Sequence, residues 1–161
     1  MTIIIVCGDG GTRATESYKA GRAKNGRDRL GERHAVVIDP KKTLPDNEIT
    51  ARLAAELPKW RLEDGWIRRT YKTNSWKGTL MVINTVGHLA EAAWHHPDIT
   101  ASYAWVEVRL MSHDAKGVTE RDFQLAKKIE EVVGWQPGTE PDSALEGTPR
   151  GDMRFSYIKY D

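Results

Sequence analysis

The chain has 161 residues, with 24 lysines and arginines against 23 aspartates and glutamates, and 39% of it is hydrophobic. That is one ordinary domain's length, enough to fold around its own core without a disulfide or metal staple. The near-cancelled charge argues against a generally basic nucleic-acid binder, the single Cys7 excludes an intramolecular disulfide, and the aliphatic run Ile3 to Val6 is too short to span a bilayer. The expectation is a reduced, cytoplasmic protein with no membrane segment.

Ile3 to Val6 reads as a short strand. Gly8-Asp9-Gly10-Gly11 after it lacks the Lys-Ser/Thr of a P-loop and the third glycine of a dinucleotide fingerprint, so it reads as a turn. From Gly8 to Glu32 only Tyr18 and Leu30 are large and apolar, the pattern of a solvated segment. Its excess of bases raises two weaker readings, a nucleic-acid arm and a transit peptide. The acids Asp9, Glu16, Asp28 and Glu32 oppose the second.

Val36-Val37-Ile38 reads as a short strand. Pro45-Asp46-Asn47-Glu48 has proline and acids where a helix begins, and Ile49, Leu53 and Leu57 continue as one apolar stripe until Pro58. Trp60 to Tyr71, turning at Asp64-Gly65, reads as a β-hairpin. Asn74 or Ser75 caps a helix running to about Ala93. Its apolar residues fall on two neighbouring stripes, Trp76, Leu80, Ile83, Gly87 and Ala90, and Val82, Val86, Leu89 and Ala93. A face that wide suits either a second subunit or deep burial.

A strand follows from about Tyr103 to Met111. Alternation sends Val106, Val108 and Leu110 to one side, and Trp105, Glu107, Arg109, Met111 and then His113 to the other. Asp114 to Gly117 reads as a turn. Thr119-Glu120-Arg121-Asp122 resembles a capping box, and Phe123, Ala126, Ile129 and Val133 line one face of the helix it starts. Met153 to Tyr157 alternates like a final strand.

Three of the five histidines, His95, His96 and His113, fall close together, and Glu91 lies four positions before His95. Helical spacing would put Glu91 and His95 on one face. Three readings compete. A metal site is disfavoured because adjacent histidines diverge and no HExxH pattern is present. Surface histidines at a helix end suit any one of them taken alone. Acid–base catalysis suits the set, because imidazole can give and take a proton near neutrality, and eliminating water needs both acts. Trp60, Trp94 and Trp105 could pack a flat heterocycle, although indoles in a small domain are more often core.

The spacing Glu91, His95-His96-Pro97, Tyr103, His113 and Asp122 resembles the signature of the pterin-4a-carbinolamine dehydratases, also called 4a-hydroxytetrahydrobiopterin dehydratases. Ala54 to Trp60, Arg68 to Lys72 and Gly117 to Asp122 resemble flanking pieces of that family. The similarity runs from about Leu44 to Val133. Ala104 departs from it, standing where many members have Asn.

The resemblance implies an α+β fold, a four-stranded antiparallel sheet with three helices on one face. The element order agrees with the one read above except for a short extra strand before Tyr103. It implies a family domain at 44–134, with an N-terminal extension at 1–43 and a C-terminal extension at 135–161 that could add a strand to a sheet edge. It implies a homodimer or homotetramer, which suits the wide face of the second helix.

By resemblance the activity is dehydration of a 4a-hydroxytetrahydropterin, with His95, His96 and His113 catalytic. Trp94, His95, His96, Met111, Ser112, His113 and Asp114 would bind the pterin, which is substrate rather than cofactor, and no metal or other cofactor is expected. Glu91, Pro97, Asp122 and Trp60 would support the site, Glu91 by tuning a histidine. The capping box explains Asp122 equally well. The competing class is a non-catalytic pterin-binding or protein-binding scaffold with the same fold.

Overall fold

The computed structural model describes residues 3–5 (backbone only), 39–149, 151–152 and 154–160. The expected strand at 36–38, the solvated segment, the glycine turn at 8–11 and Cys7 all lie outside the described residues. The elements run β1 (Ile3–Ile5), α1 (Asp46–Glu56), β2 (Arg61–Glu63), β3 (Trp66–Lys72), α2 (Trp76–Ala93), β4 (Asp98–Ser102), β5 (Trp105–Leu110), α3 (Glu120–Val133) and a short 3-10 turn, Pro137–Thr139. The fold is α+β. β2 to β5 form a four-stranded antiparallel sheet, and β1 adds a fifth strand in the order β1-β4-β5-β3-β2. No described helix is long and apolar enough to cross a membrane.

Alternation along the strands divides the sheet into two faces. Ile67 and Tyr71 on β3, Val106, Val108 and Leu110 on β5, and Ile99 and Ala101 on β4 are buried, in one core with Ile49 and Leu53 of α1, Val82 and Val86 of α2, and Phe123, Ala126 and Ile129 of α3. No described helix covers the other face, which is largely polar. Arg61 there reaches across to Glu107 at 2.7 Å, and Arg109 reaches Asp98 at 3.2 Å.

Each helix start follows from its sequence. Ser75 Oγ accepts from Gly78 N at the head of α2, and Thr119 with Asp122 closes the expected capping box on α3. β2 and β3 turn at Asp64 and Gly65, both at positive φ, as an Asp-Gly hairpin requires. α2 is not buried all round. Val82, Val86 and Ala90 face inward, while Leu80, Met81, Gly87 and His88 stay exposed.

β4 is the strand before Tyr103 that the resemblance implies, and it lies between β1 and β5. Its Asp98-Ile99-Thr100-Ala101-Ser102 carries only one large apolar residue, so alternation alone does not announce it. One expectation is corrected. The expected strand at Met153 to Tyr157 does not form among its described residues. Arg154 N–H donates to Asp152 Oδ1 and Phe155 N–H to Asp152 O, folding the chain into a turn. Among the described residues of this segment only Ile158 bridges the sheet, opposite Thr73, and the edge beside β4 belongs to β1. The C-terminal segment is nonetheless tied down. Asn74 Nδ2 donates to Ser156 O, Lys159 N to Lys72 O, and the Tyr157 carbonyl lies so close to Gly78 that a Cβ there would collide with it.

Candidate active site

The C-terminus of α2 sets the first part of the site. Trp94 takes the left-handed conformation, φ 49° and ψ 41°, and its N–H bonds back to Ala90 and Glu91. His95 N–H then reaches Ala90 O at 3.1 Å, the six-to-one bond of a Schellman cap. Glycine usually fills the left-handed position, and a tryptophan there costs about 1–2 kcal/mol of backbone strain. The consequence is local. The chain leaves the helix before His95, so four-residue helical spacing no longer brings Glu91 to it.

Glu91 instead pairs with His96, Oε2 to Nε2 at 3.1 Å, which corrects the expected Glu91–His95 pairing. His95 turns inward. Its Nε2 lies 2.7 Å from Asp122 Oδ1, and the Asp122 side chain has no exposed surface. The other oxygen, Oδ2, accepts from Thr119 N at 2.7 Å and from Ser112 Oγ at 2.9 Å, with Thr119 Oγ1 3.2 Å away. Asp122 therefore does two jobs at once: it closes the capping box of α3 and holds His95. An ionised Asp122 can only accept, so facing it a neutral His95 carries its hydrogen on Nε2 and presents Nδ1 as the acceptor.

His113 enters from the turn after β5. Its ring stands edge-on to Trp66, centroids 5.5 Å apart and planes at 73°, and its Nε2 is buried with no hydrogen-bond partner among the described residues. His96 meets the Trp94 ring in the same way, at 5.4 Å and 75°. Asp114, next after His113, is bound by Arg121 at 2.6 Å. Burial works to raise the Asp114 carboxyl. The hydrogen bond and charge of Arg121, with Lys41 behind, more than offset it and hold the group below the usual carboxylate range.

The structure thus joins His95 to Asp122 and Ser112, and His96 to Glu91 and Trp94. Met111 sits half-buried just past the end of β5, and Pro97 is buried where the chain enters β4. Trp60 is placed elsewhere. It is 4% exposed within the core, and its Nε1–H donates to Glu130 Oε2 at 3.1 Å. Trp105 opens β5 while Leu110 closes it, so roughly 17 Å of strand separates that indole from the end leading to His113. Trp66, against His113, and Arg109, 5.6 Å from the Trp66 ring, are neighbours that the histidine spacing does not name, although strand alternation puts Arg109 on the side of His113.

His95 also lines a cleft of about 310 Å³ between α2 and α3, with Ala92, Arg121 and Leu125. A larger cleft of about 1080 Å³ lies apart from the histidines, walled by Trp135, Phe155, Tyr157 and Tyr160 of the C-terminal segment. Among the described residues no three His, Cys, Asp or Glu side chains converge as metal ligands would.

The profile of the family described as pterin 4 alpha carbinolamine dehydratase matches residues 42–132. The chain belongs to the pterin-4a-carbinolamine dehydratase family. A relative from Aquifex aeolicus, named "Putative pterin-4-alpha-carbinolamine dehydratase", is 42% identical over 90 residues, 56% of this chain and 90% of that protein. A relative of the same name from Chloroflexus aggregans is 44% identical over 92 residues, 56% of this chain and 97% of that protein. The crystal structure of a transcriptional coactivator/pterin dehydratase from Brucella melitensis superposes with a TM-score of 0.54 at 28% identity, covering 58% of this chain and all of that one. His95, His96, His113, Glu91 and Asp122 all lie inside the matched region; the aromatic C-terminal cleft lies outside it.

Proposed function

We propose that this protein dehydrates a 4a-hydroxytetrahydropterin to the quinonoid dihydropterin by histidine acid–base catalysis. The observation that carries the reading is the His95–Asp122 pair, a buried carboxylate behind an imidazole, in a chain of this family. In the reaction the C4a–O bond breaks, the N5–H proton is removed and a C4a=N5 double bond forms, with water leaving. His95 is the base in this reading. Its Nδ1 takes the N5 proton, while Asp122 holds the ring and stabilises the imidazolium that forms, as a carboxylate does behind any catalytic histidine. His113 protonates the departing hydroxyl. His96, steadied by Glu91, flanks the bound pterin with Trp94, Met111 and the Ser112-His113-Asp114 turn.

The pterin is substrate in this account, and no metal is assigned a role. The product suits recycling of the pterin used by aromatic amino acid hydroxylases in the cytoplasm. The exposed Leu80 and Met81 of α2 suit a homodimer or homotetramer. The test is an assay on enzymatically generated 4a-hydroxypterin with the wild type and His95→Ala. Loss of a positioned base should cost ~10²–10⁴-fold, and turnover should follow a bell or half-bell in pH and survive exhaustive chelation. A wild type no faster than buffer sinks the reading, and chelation reversed by added zinc sinks its metal-free form.

A second reading, a non-catalytic pterin-binding or protein-binding scaffold, draws on the aromatic cleft at residues 135–160, which the dehydration chemistry does not use. An inactive wild type that still binds pterin would favour it.

A further inference from the structure

On the sheet face away from the described helices, several buried polar atoms lack hydrogen-bond partners among the described residues: Arg68 Nε, Asp98 Oδ1, Arg109 Nε and His113 Nε2. They are neighbours by register. Asp98 on β4 lies opposite Arg109 on β5, and Arg109 lies opposite Arg68 on β3. Arg109 Nη2 donates to Asp98 Oδ2 at 3.2 Å, with side chains 24% and 9% exposed. The Arg109 guanidinium carbon also sits 5.6 Å from the centroid of the Trp66 ring, the ring that His113 meets edge-on.

A continuous path follows. Asp98 comes directly after His95-His96-Pro97, so whatever fixes Asp98 fixes where that turn joins the sheet. Arg109 takes Asp98 on one side and Trp66 on the other, and Trp66 braces His113. The histidines of the α2–β4 turn and the histidine after β5 are tied together through one guanidinium.

Stability does not account for the pair. An ion pair this buried forfeits hydration, and each buried polar atom left without a partner adds a further cost, so an apolar pair of similar volume is often as stable or more so. A costly pair placed between two halves of a catalytic site suggests a positioning role, because small misplacements of reacting groups cost large factors in rate.

We propose that Asp98 and Arg109 are positioning residues for the dehydration, setting the relative placement of the His95-His96 turn and His113 through Trp66. The proposal rests on the dehydratase reading. It is tested on the full-length protein with the apolar double variant Asp98→Leu/Arg109→Met and the conservative variant Arg109→Lys. Kinetics, thermal melting and the NMR signals of the histidine rings at fixed pH are measured for each. The double variant should melt at or above the wild-type temperature. Its kcat should fall about 10–100-fold with KM changed less than threefold, and the His113 ring signals should move. Arg109→Lys should recover part of the lost kcat. A double variant that keeps kcat within twofold overturns the proposal, as does one that loses kcat only in proportion to lost folded protein. If the wild type does not dehydrate the substrate, the functional reading fails, and the ring signals still judge the coupling: in the double variant, unmoved His113 signals overturn it and displaced ones sustain it.

Discussion

His95 and His96 are neighbours in the chain and opposites in setting. The His95 side chain is 11% exposed and faces an Asp122 carboxylate with no exposure at all, at 2.7 Å. The His96 side chain is 33% exposed and faces Glu91, itself 68% exposed, at 3.1 Å. Asp122 is also bound by Ser112 and by its own cap residue, Thr119. Among the described residues the Glu91 side chain bonds only to His96. A buried, cross-linked carboxylate cannot move away from its histidine, whereas an exposed one exchanges with water and is screened by salt. Residues with the same apparent role therefore differ in how much structure depends on them.

Asp122→Ala should break this comparison at its strong end. It leaves Thr119 N–H, Ser112 Oγ and His95 without their acceptor and removes half of the capping box. The cost should be about 3 kcal/mol, read as a fall in melting temperature of roughly 6–12 °C. Turnover should drop ~10²-fold or more in the protein that remains folded. A variant that melts with the wild type would show that the buried network contributes little.

Glu130→Ala tests whether that dependence belongs to every carboxylate that accepts several bonds. Glu130 accepts from both Trp60 Nε1 and Tyr71 Oη, at 3.1 and 2.9 Å, far from the histidines. Burial first, and the Glu130 charge second, push the Tyr71 phenol well above its ordinary value. The substitution should cost about 2 kcal/mol with kcat near wild type, since only the fold depends on it. A large kcat loss would mean that the core and the site are coupled.

Trp94→Gly sharpens the comparison from the backbone side. Relieving a left-handed non-glycine residue should raise stability by up to ~1 kcal/mol, measured by denaturant midpoint. It should also weaken substrate binding, because the ring beside His96 is lost. No gain in stability would mean that the packing of the indole already offsets the strain.

Glu91→Gln probes the weak end. Stability should change by less than ~0.5 kcal/mol and turnover by only a few-fold, an effect that shrinks further as salt is raised. A loss as large as that of Asp122→Ala would overturn the ranking of the two histidines.

The smallest effect concerns pH. Asp114 is held below its ordinary range by Arg121, so its contribution should be fully present above the unfolded carboxylate pKa of ~3.9 and lost as pH falls through the lower folded value. The stability gap between wild type and Asp114→Asn should be constant from pH 7 to about 5 and close towards pH 3. With the side chain 46% exposed, the gap should stay within a few tenths of a kcal/mol. A gap that widens in acid would reverse the sign and refute the pairing.

Much of this protein is written in its sequence. The stripe Ile49, Leu53 and Leu57, the Asp64-Gly65 turn, the cap at Ser75 and the Thr119–Asp122 box each depend on residues within one or two turns of one another, so local rules suffice to place them. The alternation of Val106, Val108 and Leu110 against Arg109 and Met111 set the two faces of β5 for the same reason. The histidine set was legible as a spacing. Its partners were not, because they depend on where the chain leaves a helix and on which elements then meet. A single left-handed residue, Trp94, moved Glu91 from His95 to His96. The packing of α3 against the end of α2 brought Asp122 to His95 across 27 positions of sequence. β4 is legible through the resemblance and not through its own alternation, because its burial comes from neighbours on both sides rather than from its own apolar residues, and the Asp98–Arg109–Trp66–His113 path exists only once β3, β4 and β5 lie side by side. Local chemistry fixed the elements and the candidate acids and bases; long-range packing, which no short window of sequence encodes, decided which carboxylate each histidine faces.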